Sequence, residues 1–176
     1  MQLSFGADLL GMVPVGNFAD ATGPLIGVVA RVGLRLRPEV ELTARFGYLS
    51  GLSKTQYSGG QTWENSVSDI PLWLGVRCFF GPDPYEGPYV DAEFGLNVLS
   101  SKVTASGASA SETNERIGFH MGGGYIVSKA IPIDLHLQLM YVNLPDTGKK
   151  TALAVGVGIG YTYRYSLGSN MQANGK

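Results

Sequence analysis

The chain has 176 residues, which fits one domain better than two, and its charged fraction of 15% is below the roughly 25% of typical soluble domains. A net charge of −1 without a basic run argues against nucleic-acid binding. The single Cys78 excludes an internal disulfide and a cysteine-based metal site.

In chain order, eight segments alternate apolar residues with small or polar ones, and this period of two predicts β-strands. The predicted strands are 2–10, 25–36, 40–49, 69–80, 88–99, 117–127, 133–143 and 153–164. The expected connections are a loop over 11–23, a tight turn at Arg37-Pro38, a polar loop over 50–68, a turn over 81–87, a low-complexity mobile loop over 100–115, a turn over 128–132, a polar loop over 144–150 and a polar tail over 166–176. Strands of this length match the roughly nine to eleven residues that cross a bilayer, whereas strands of soluble proteins average about five to six.

The two faces of these strands differ in chemistry, as the last predicted strand illustrates. One face is aliphatic from Leu153 to Ile159 and ends in Tyr161 and Tyr163, while the other is small or polar and includes three glycines. Glycine weakens a strand and packs nothing, so a glycine-rich face predicts a narrow, crowded interior. A soluble barrel with an apolar inside, such as a lipocalin, shares the alternation, but the glycines on the polar face favour an apolar outside.

The fold predicted from these patterns is all-β, an eight-stranded antiparallel up-and-down transmembrane β-barrel. No run approaches the ~18 apolar residues of a membrane helix, and closed barrels are the alternative that satisfies the backbone in lipid. We expect the barrel over residues 1–165 and a periplasmic tail over 166–176. The first residues lack a basic segment, so we expect that an exported form carries a signal peptide ahead of this sequence and that Met1 was added as a start codon.

Loop lengths and aromatic residues predict the orientation. The connections after the odd-numbered strands are mostly longer, as are the external loops of outer-membrane barrels, and an even strand count then places both termini in the periplasm. Outward-facing aromatics at the strand ends predict two interfacial girdles, comprising Tyr48, Phe80, Tyr125, Tyr141, Tyr161 and Tyr163.

These features resemble the small eight-stranded outer-membrane barrels typified by the OmpA transmembrane domain and OmpX. The resemblance covers Gln2 to Tyr165, and it includes the stretch Val13–Asp20 after the first strand. Gly160–Tyr165 is similar to the C-terminal signal that the barrel-assembly machinery reads, although this chain continues beyond it. The resemblance implies two partners, outer-membrane lipid and the assembly machinery, and it says little about activity.

Inward-facing charges predict a salt-bridged, largely plugged lumen, because buried charges must be paired. The set comprises Asp8, Arg31, Arg35, Glu41, Arg45, Asp69, Arg77, Asp91, Glu93, Asp134 and Arg164. Hairpin register places Arg77 opposite Asp91 and diagonal to Glu93, and it places Arg35 opposite Glu41 if Leu36 opposes Val40. The alternative interpretation is a proton or ion path along this column.

The remaining chemistry is sparse. His120 and His136 fall roughly 13 Å apart along the lumen, too far to share a metal. Lipid A deacylases are membrane barrels with a His-x-Ser pair facing lipid, and neither histidine has that neighbour. Gly156-x-Gly158-x-Gly160 is followed by no helix and is not a nucleotide motif. We expect no catalytic residue, cofactor or metal.

Three functions remain open. The first is a non-enzymatic outer-membrane barrel whose external loops or C-terminal tail bind a protein partner. The second is a narrow pore for ions or small solutes, and the third is a lipid-modifying enzyme.

Overall fold

Long strands and one short helix make up the chain in a computed structural model that describes residues 1–58, 61–81, 86–105, 108–128, 130, 132–144 and 150–166. The elements are β1 (Gln2–Val15), α1 (Asn17–Ala21), β2 (Leu25–Arg37), β3 (Val40–Gly51), β4 (Lys54–Ser58), β5 (Gln61–Phe79), β6 (Gly87–Ala105), β7 (Ala108–Ile126), β8 (Ile133–Leu144) and β9 (Lys150–Ser166).

Eight of the nine strands close into a ring. The sheet order is β3-β2-β1-β9-β8-β7-β6-β5-β4, and the additional antiparallel pairing of β3 with β5 completes the circle. Strand β4 pairs with β5 alongside the ring without forming part of it. The predicted eight-stranded antiparallel barrel is therefore confirmed, with one extra short strand.

The two ends of the ring differ. At the end that we call the terminal end, Gln2 pairs with Ser166 and Gly87 pairs with Ile126. At the opposite end, which we call the hairpin end, Ala105 pairs with Ala108 where β6 turns into β7. Among the described residues, no helix is both long and apolar enough to cross a membrane.

Three predicted loops are wrong, all at the hairpin end. The range 50–68 contains β4 and the start of β5, the range 100–115 contains the end of β6 and the start of β7, and the range 11–23 contains the end of β1 and all of α1. The extensions of β5, β6 and β7 are mostly polar on both faces, so they lack the apolar period that marks a half-buried strand, whereas the extension of β1 is apolar but contains Pro14. Parts of the other predicted connections lie outside the described residues, namely 82–85, 129, 131, 145–149 and 167–176.

The outer wall of the ring is apolar. Outward-facing Leu72, Leu137 and Val157 are 47%, 65% and 61% exposed, whereas inward-facing Trp73 is 1% exposed. This distribution contradicts the lipocalin alternative, in which the apolar face points inward. It also leaves a continuous apolar band that water would solvate poorly.

Inward glycines make room for large neighbours, as the alternation predicts. A Cβ added to Gly122 would lie 2.6 Å from Asp91 Oδ1, and one added to Gly124 would lie 2.6 Å from Leu135 O. Both contacts are shorter than real Cβ atoms tolerate, so the interior of the ring is filled to contact at these positions.

Candidate functional site: the lumen and the extension sheet

The half of the lumen nearer the terminal end is lined by charged side chains. Strand alternation points one residue in two inward, so β1, β2, β3, β5, β6 and β8 each deliver acids or bases to the same narrow space. The charged residues that are buried there are Asp8, Arg31, Arg35, Glu41, Arg45, Arg77, Asp91, Glu93 and Asp134.

Seven of these groups form one continuous chain of ion pairs. From Glu93 it passes to Arg45 at 3.2 Å, to Asp8 at 3.2 Å and to Arg31 at 3.1 Å. Arg31 pairs with Asp134 at 3.3 Å, and Asp134 pairs in turn with Arg77 at 3.3 Å. Arg77 then pairs with Asp91 at 3.0 Å, which ends the chain. The chain links side chains from strands across the lumen, so the charges bridge its width.

Aromatic and hydroxyl groups satisfy further parts of this chain. Tyr89 donates its hydroxyl to Asp134 Oδ1 at 2.5 Å, and the guanidinium of Arg77 lies 4.0 Å from the Tyr89 ring centroid. Arg31 donates to Thr162 Oγ1 at 2.7 Å. Buried charges are tolerated only when they are paired and hydrogen-bonded in this way, so the arrangement is that of a packed interior.

The register prediction for the charges is confirmed in its main points. Arg77 opposes Asp91, and Arg35 opposes Glu41 with a closest approach of 3.5 Å. The expected pairing of Leu36 with Val40 is wrong, because a bulge after Arg35 places Arg37 opposite Val40. The extra residue is absorbed in the turn and leaves the charged pair in place.

Four of the eleven predicted charges are not among these seven. Arg35 and Glu41 pair with each other, and the other two lie elsewhere. Arg164 is at the terminal rim, where it is only partly buried. Asp69 is fully buried in the other half of the lumen, and neither of its carboxylate oxygens has a hydrogen-bond partner among the described residues. The eleven predicted groups therefore do not form a single network.

The two histidines join the charged half as partners of carboxylates. His120 Nδ1 lies 3.1 Å from Glu93, and its ring stacks on Trp73 with centroids 4.7 Å apart. His136 Nδ1 lies 3.4 Å from Asp134.

One triad in this half has metal-like spacing. Potential ligand atoms of Asp8, Asp134 and His136 lie within 4.8 Å of one another. Both aspartates, however, already accept hydrogen bonds or ion pairs from arginines, so a cation would have to displace guanidinium groups. Ion pairing with the arginines therefore explains why these three residues lie close together.

The half of the lumen nearer the hairpin end is apolar apart from buried Asp69 and Asn97, and the sequence analysis missed this apolar layer. Inward-facing Leu10, Met12, Leu25, Leu49 and Leu99 pack with residues of the opposite wall. The rest of this cluster comprises Phe18, Val29, Val67, Trp73, Met140, Val142, Ala152 and Ala154. We call the cluster the apolar plug. The inward parity of Leu49 and Leu99 was visible in the sequence, but both lie where the predicted strands end and the predicted loops begin.

Helix α1 covers the apolar plug. The chain leaves β1 through Gly16, whose φ of 61° suits glycine, and Phe18 then enters the plug with 5% of its surface exposed. Lys54 Nζ donates to Ala19 O at 2.5 Å and Gln56 Nε2 donates to Asp20 O at 2.9 Å, so β4 fastens the helix to the ring. Buried side chains thus line both halves of the lumen, as the ion-pair chain in one half and the apolar plug in the other.

Beyond the ring, strands β4 to β7 continue as a four-stranded sheet. We call it the extension sheet and define it as β4 with residues 61–68, 100–105 and 108–116. Its outward-facing residues on β6 change from Val98 to Ser100 and Lys102, which marks the end of the apolar band. From Leu99 to Ala105 it extends roughly 20 Å.

The predicted girdle residues all lie on the outer wall. Tyr48, Phe80, Tyr125, Tyr141, Tyr161 and Tyr163 are each at least 42% exposed. Register places Tyr48 and Tyr141 toward the hairpin end and the other four toward the terminal end. They therefore flank the apolar band at both of its edges.

No family description matches the chain, and no curated protein does. Several solved structures are similar to this chain. The attachment invasion locus protein Ail of Yersinia pestis, in complex with the heparin analogue sucrose octasulfate, aligns with 92% of this chain and 97% of its own at a TM-score of 0.60 and 12% identity. The N-terminal β-barrel domain of Pseudomonas aeruginosa OprF aligns at a TM-score of 0.53 and 17% identity over 91% of this chain and 97% of that domain.

Neisserial surface protein A is also similar, with a TM-score of 0.51 and 15% identity over 90% of this chain and 96% of its own. At such identities the likeness establishes the fold alone. The chain has the fold of the small outer-membrane β-barrels of the OmpA and OmpX type.

Proposed function

We propose that this protein is a non-enzymatic, non-conducting barrel of the bacterial outer membrane that presents the extension sheet on the cell surface to bind a protein partner. The observation that supports the proposal is the presence of two unlike layers in the lumen, the ion-pair chain and the apolar plug, beneath a sheet that projects beyond the apolar band.

The apolar plug argues against the narrow-pore alternative. An ion that entered from the hairpin end would lose its hydration among Leu10, Leu49 and Leu99, which are at most 7% exposed. Dehydrating an ion in an apolar environment costs many kcal/mol, and the buried charged groups described in this half amount to the single carboxylate of Asp69, which is not a ring of ligands. A charged lumen alone could conduct ions, but a lumen that also contains this apolar layer favours a closed barrel.

The extension sheet offers an unpaired edge. Residues 108–117 of β7 pair with β6 on one side, whereas pairing with β8 begins only at Gly118. Among the described residues, no strand pairs with this side of residues 108–117. An unpaired edge displays backbone donors and acceptors to which an extended peptide can add as a further strand.

The chemistry of this edge favours a peptide over a sulfated glycan. Residues 108–111 are alanine and serine, which leave the backbone accessible, and no proline interrupts the strand. The Ail structure holds a heparin analogue. Here Lys102 and Arg116 share the sheet with Glu64, Glu112 and Glu115, and Lys54 is engaged with α1, so the described residues form no basic cluster.

The remaining assignments follow from the same arrangement. We propose residues 1–165 as the barrel, residues 166–176 as a periplasmic tail, and both termini on the periplasmic side. Tyr48 and Tyr141 would then lie at the outer interface, and the other four girdle residues at the inner one. Outer-membrane lipid and the barrel-assembly machinery are the partners of insertion.

Surface labelling tests location and orientation together. A cysteine at Ser109 should react with a membrane-impermeant maleimide in intact cells that express a Cys78→Ser background. A cysteine at Gln2, at the other end of the ring, should react only after the outer membrane is permeabilised. Labelling of Gln2→Cys but not Ser109→Cys in intact cells would invert the orientation and overturn the proposal.

A shortened hairpin tests the binding role of the sheet. Removing residues 101–112 leaves the pairs of the ring intact and takes away most of the free edge. Peptides selected from a displayed random library against the vesicle-embedded protein should lose binding to this variant. Selected peptides that bind both forms equally would contradict the extension sheet as the docking element.

A further inference from the structure

The outer wall of the ring carries a groove. It has a volume of about 370 Å³ and lies between β7, β8 and β9, where Gly123, Tyr125, Leu135, Leu137 and Val157 form its sides. Its volume is within the range of ligand pockets, and its lining is predominantly aliphatic and aromatic. Among the described residues it is a depression in an otherwise ridged apolar surface.

The groove exists because Gly123 occupies an outward position. The outward row of β7 runs Ile117, Phe119, Met121, Gly123 and Tyr125, so one large side chain is missing from the series. Leu137 lies directly opposite Gly123 and is 65% exposed, which makes it one wall of the depression.

Packing does not require glycine at this position. A Cβ on Gly123 would lie 3.3 Å from Tyr89 O and 3.7 Å from Val90 Cγ1, which needs at most a small adjustment. By contrast, a Cβ on the neighbouring inward Gly124 would lie 2.6 Å from Leu135 O. Outward Gly11 likewise has no steric need for glycine, since a Cβ there would meet nothing within 4 Å, so Gly123 is distinguished by the groove that its missing side chain leaves.

We propose that the groove at Gly123 seats one acyl chain of a glycerophospholipid from the periplasmic leaflet. The groove is continuous with the apolar band, so the solvent at its mouth is the hydrocarbon interior of the membrane, and an acyl chain is the group that this solvent supplies. The rest of the lining is Gly124, His136 and Gly158, and the His136 side chain is buried beside Asp134 in the lumen. The inference rests on the proposed membrane location and orientation.

The depth of the groove identifies the leaflet. Leu137 is the middle residue of the outward row from Ile133 to Tyr141, and the groove extends from it toward Leu135 and Tyr125, on the side of the terminal end. With the termini in the periplasm, this half of the band faces the phospholipid leaflet. The Tyr125 ring then lies at the level of the headgroups, where tyrosine is favoured.

The test compares two outward glycines. Gly123→Leu fills the groove, whereas Gly11→Leu places the same side chain on the outer wall of β1, where a Cβ would meet nothing within 4 Å. Each protein is inserted into phospholipid vesicles, extracted in mild detergent and examined by native mass spectrometry. The wild type and Gly11→Leu should each retain one phospholipid, and Gly123→Leu should retain on the order of tenfold less.

The outcomes separate the two proposals. Failure of the wild-type protein to insert into vesicles would overturn the membrane location and this inference with it. Insertion without a retained phospholipid, equal retention by Gly123→Leu, equal loss in Gly11→Leu, or preferential retention of lipid A when both lipids are offered would overturn the acyl-chain site alone. Circular dichroism and heat-dependent gel mobility confirm that both variants are folded.

Discussion

Removing Arg77 tests the ion-pair chain at the point where one carboxylate depends on a single base. Asp91 pairs with Arg77 at 3.0 Å and with no other cation among the described residues, whereas Asp134 also has Arg31 at 3.3 Å and Tyr89 at 2.5 Å. Arg77→Met therefore strands the Asp91 charge and removes a cation–π contact at 4.0 Å. We expect a loss of about 4 kcal/mol in the free energy of unfolding.

The matched double variant isolates the pair. Asp91→Leu alone leaves Arg77 with Asp134, so we expect a loss of about 1–2 kcal/mol, and Arg77→Met/Asp91→Leu should lose about 2 kcal/mol because no charge is stranded. The coupling between the two sites is then about 3 kcal/mol. Urea unfolding in vesicles, followed by tryptophan fluorescence, measures all four proteins. A double variant that loses the sum of the two single losses would refute the reasoning.

Two further changes test the outer wall of the ring and the cap that Phe18 of α1 forms over the apolar plug. Leu137→Arg should lose about 2–4 kcal/mol in vesicle unfolding because it places a charge near the middle of the apolar band, whereas Ser109→Arg beyond the band should change stability by less than about 0.5 kcal/mol. Similar losses for both would contradict the membrane face. Phe18→Ala should lose about 3 kcal/mol by uncovering the apolar plug, while Asn17→Ala beside it should lose much less; equal unfolding midpoints for these two would show that the cap contributes nothing.

The sequence predicted the ring well because membrane barrels repeat one simple rule in every strand. The alternation of Leu153 to Tyr163 with glycine specifies which face is outside, and the opposition of Arg77 and Asp91 follows from counting residues out from the turn. Both depend only on the period of a strand and on the register of a hairpin. The bulge after Arg35 escaped the same counting because an extra residue in a turn leaves no mark on the apolar period.

Strand alternation could not predict the extension sheet or the apolar plug. Residues 100–105 and 108–116 are polar on both faces, so their strand structure comes from backbone pairing and not from burial. The plug is assembled from β1, β2, β3, β5, β6, β8 and β9 with Phe18 of α1. Its residues are adjacent only after the ring has closed, and each one alone resembles the end of a strand.

Planar-bilayer recording of the wild-type protein tests the closed lumen most directly. The vesicle-inserted protein is fused into a bilayer, and its orientation and folding are verified by the Ser109→Cys label and by gel mobility. Closure by the ion-pair chain and the apolar plug predicts a baseline without steady channels, broken only by rare, small events. Long-lived, ion-selective openings from the folded protein would contradict the closed barrel and establish a pore.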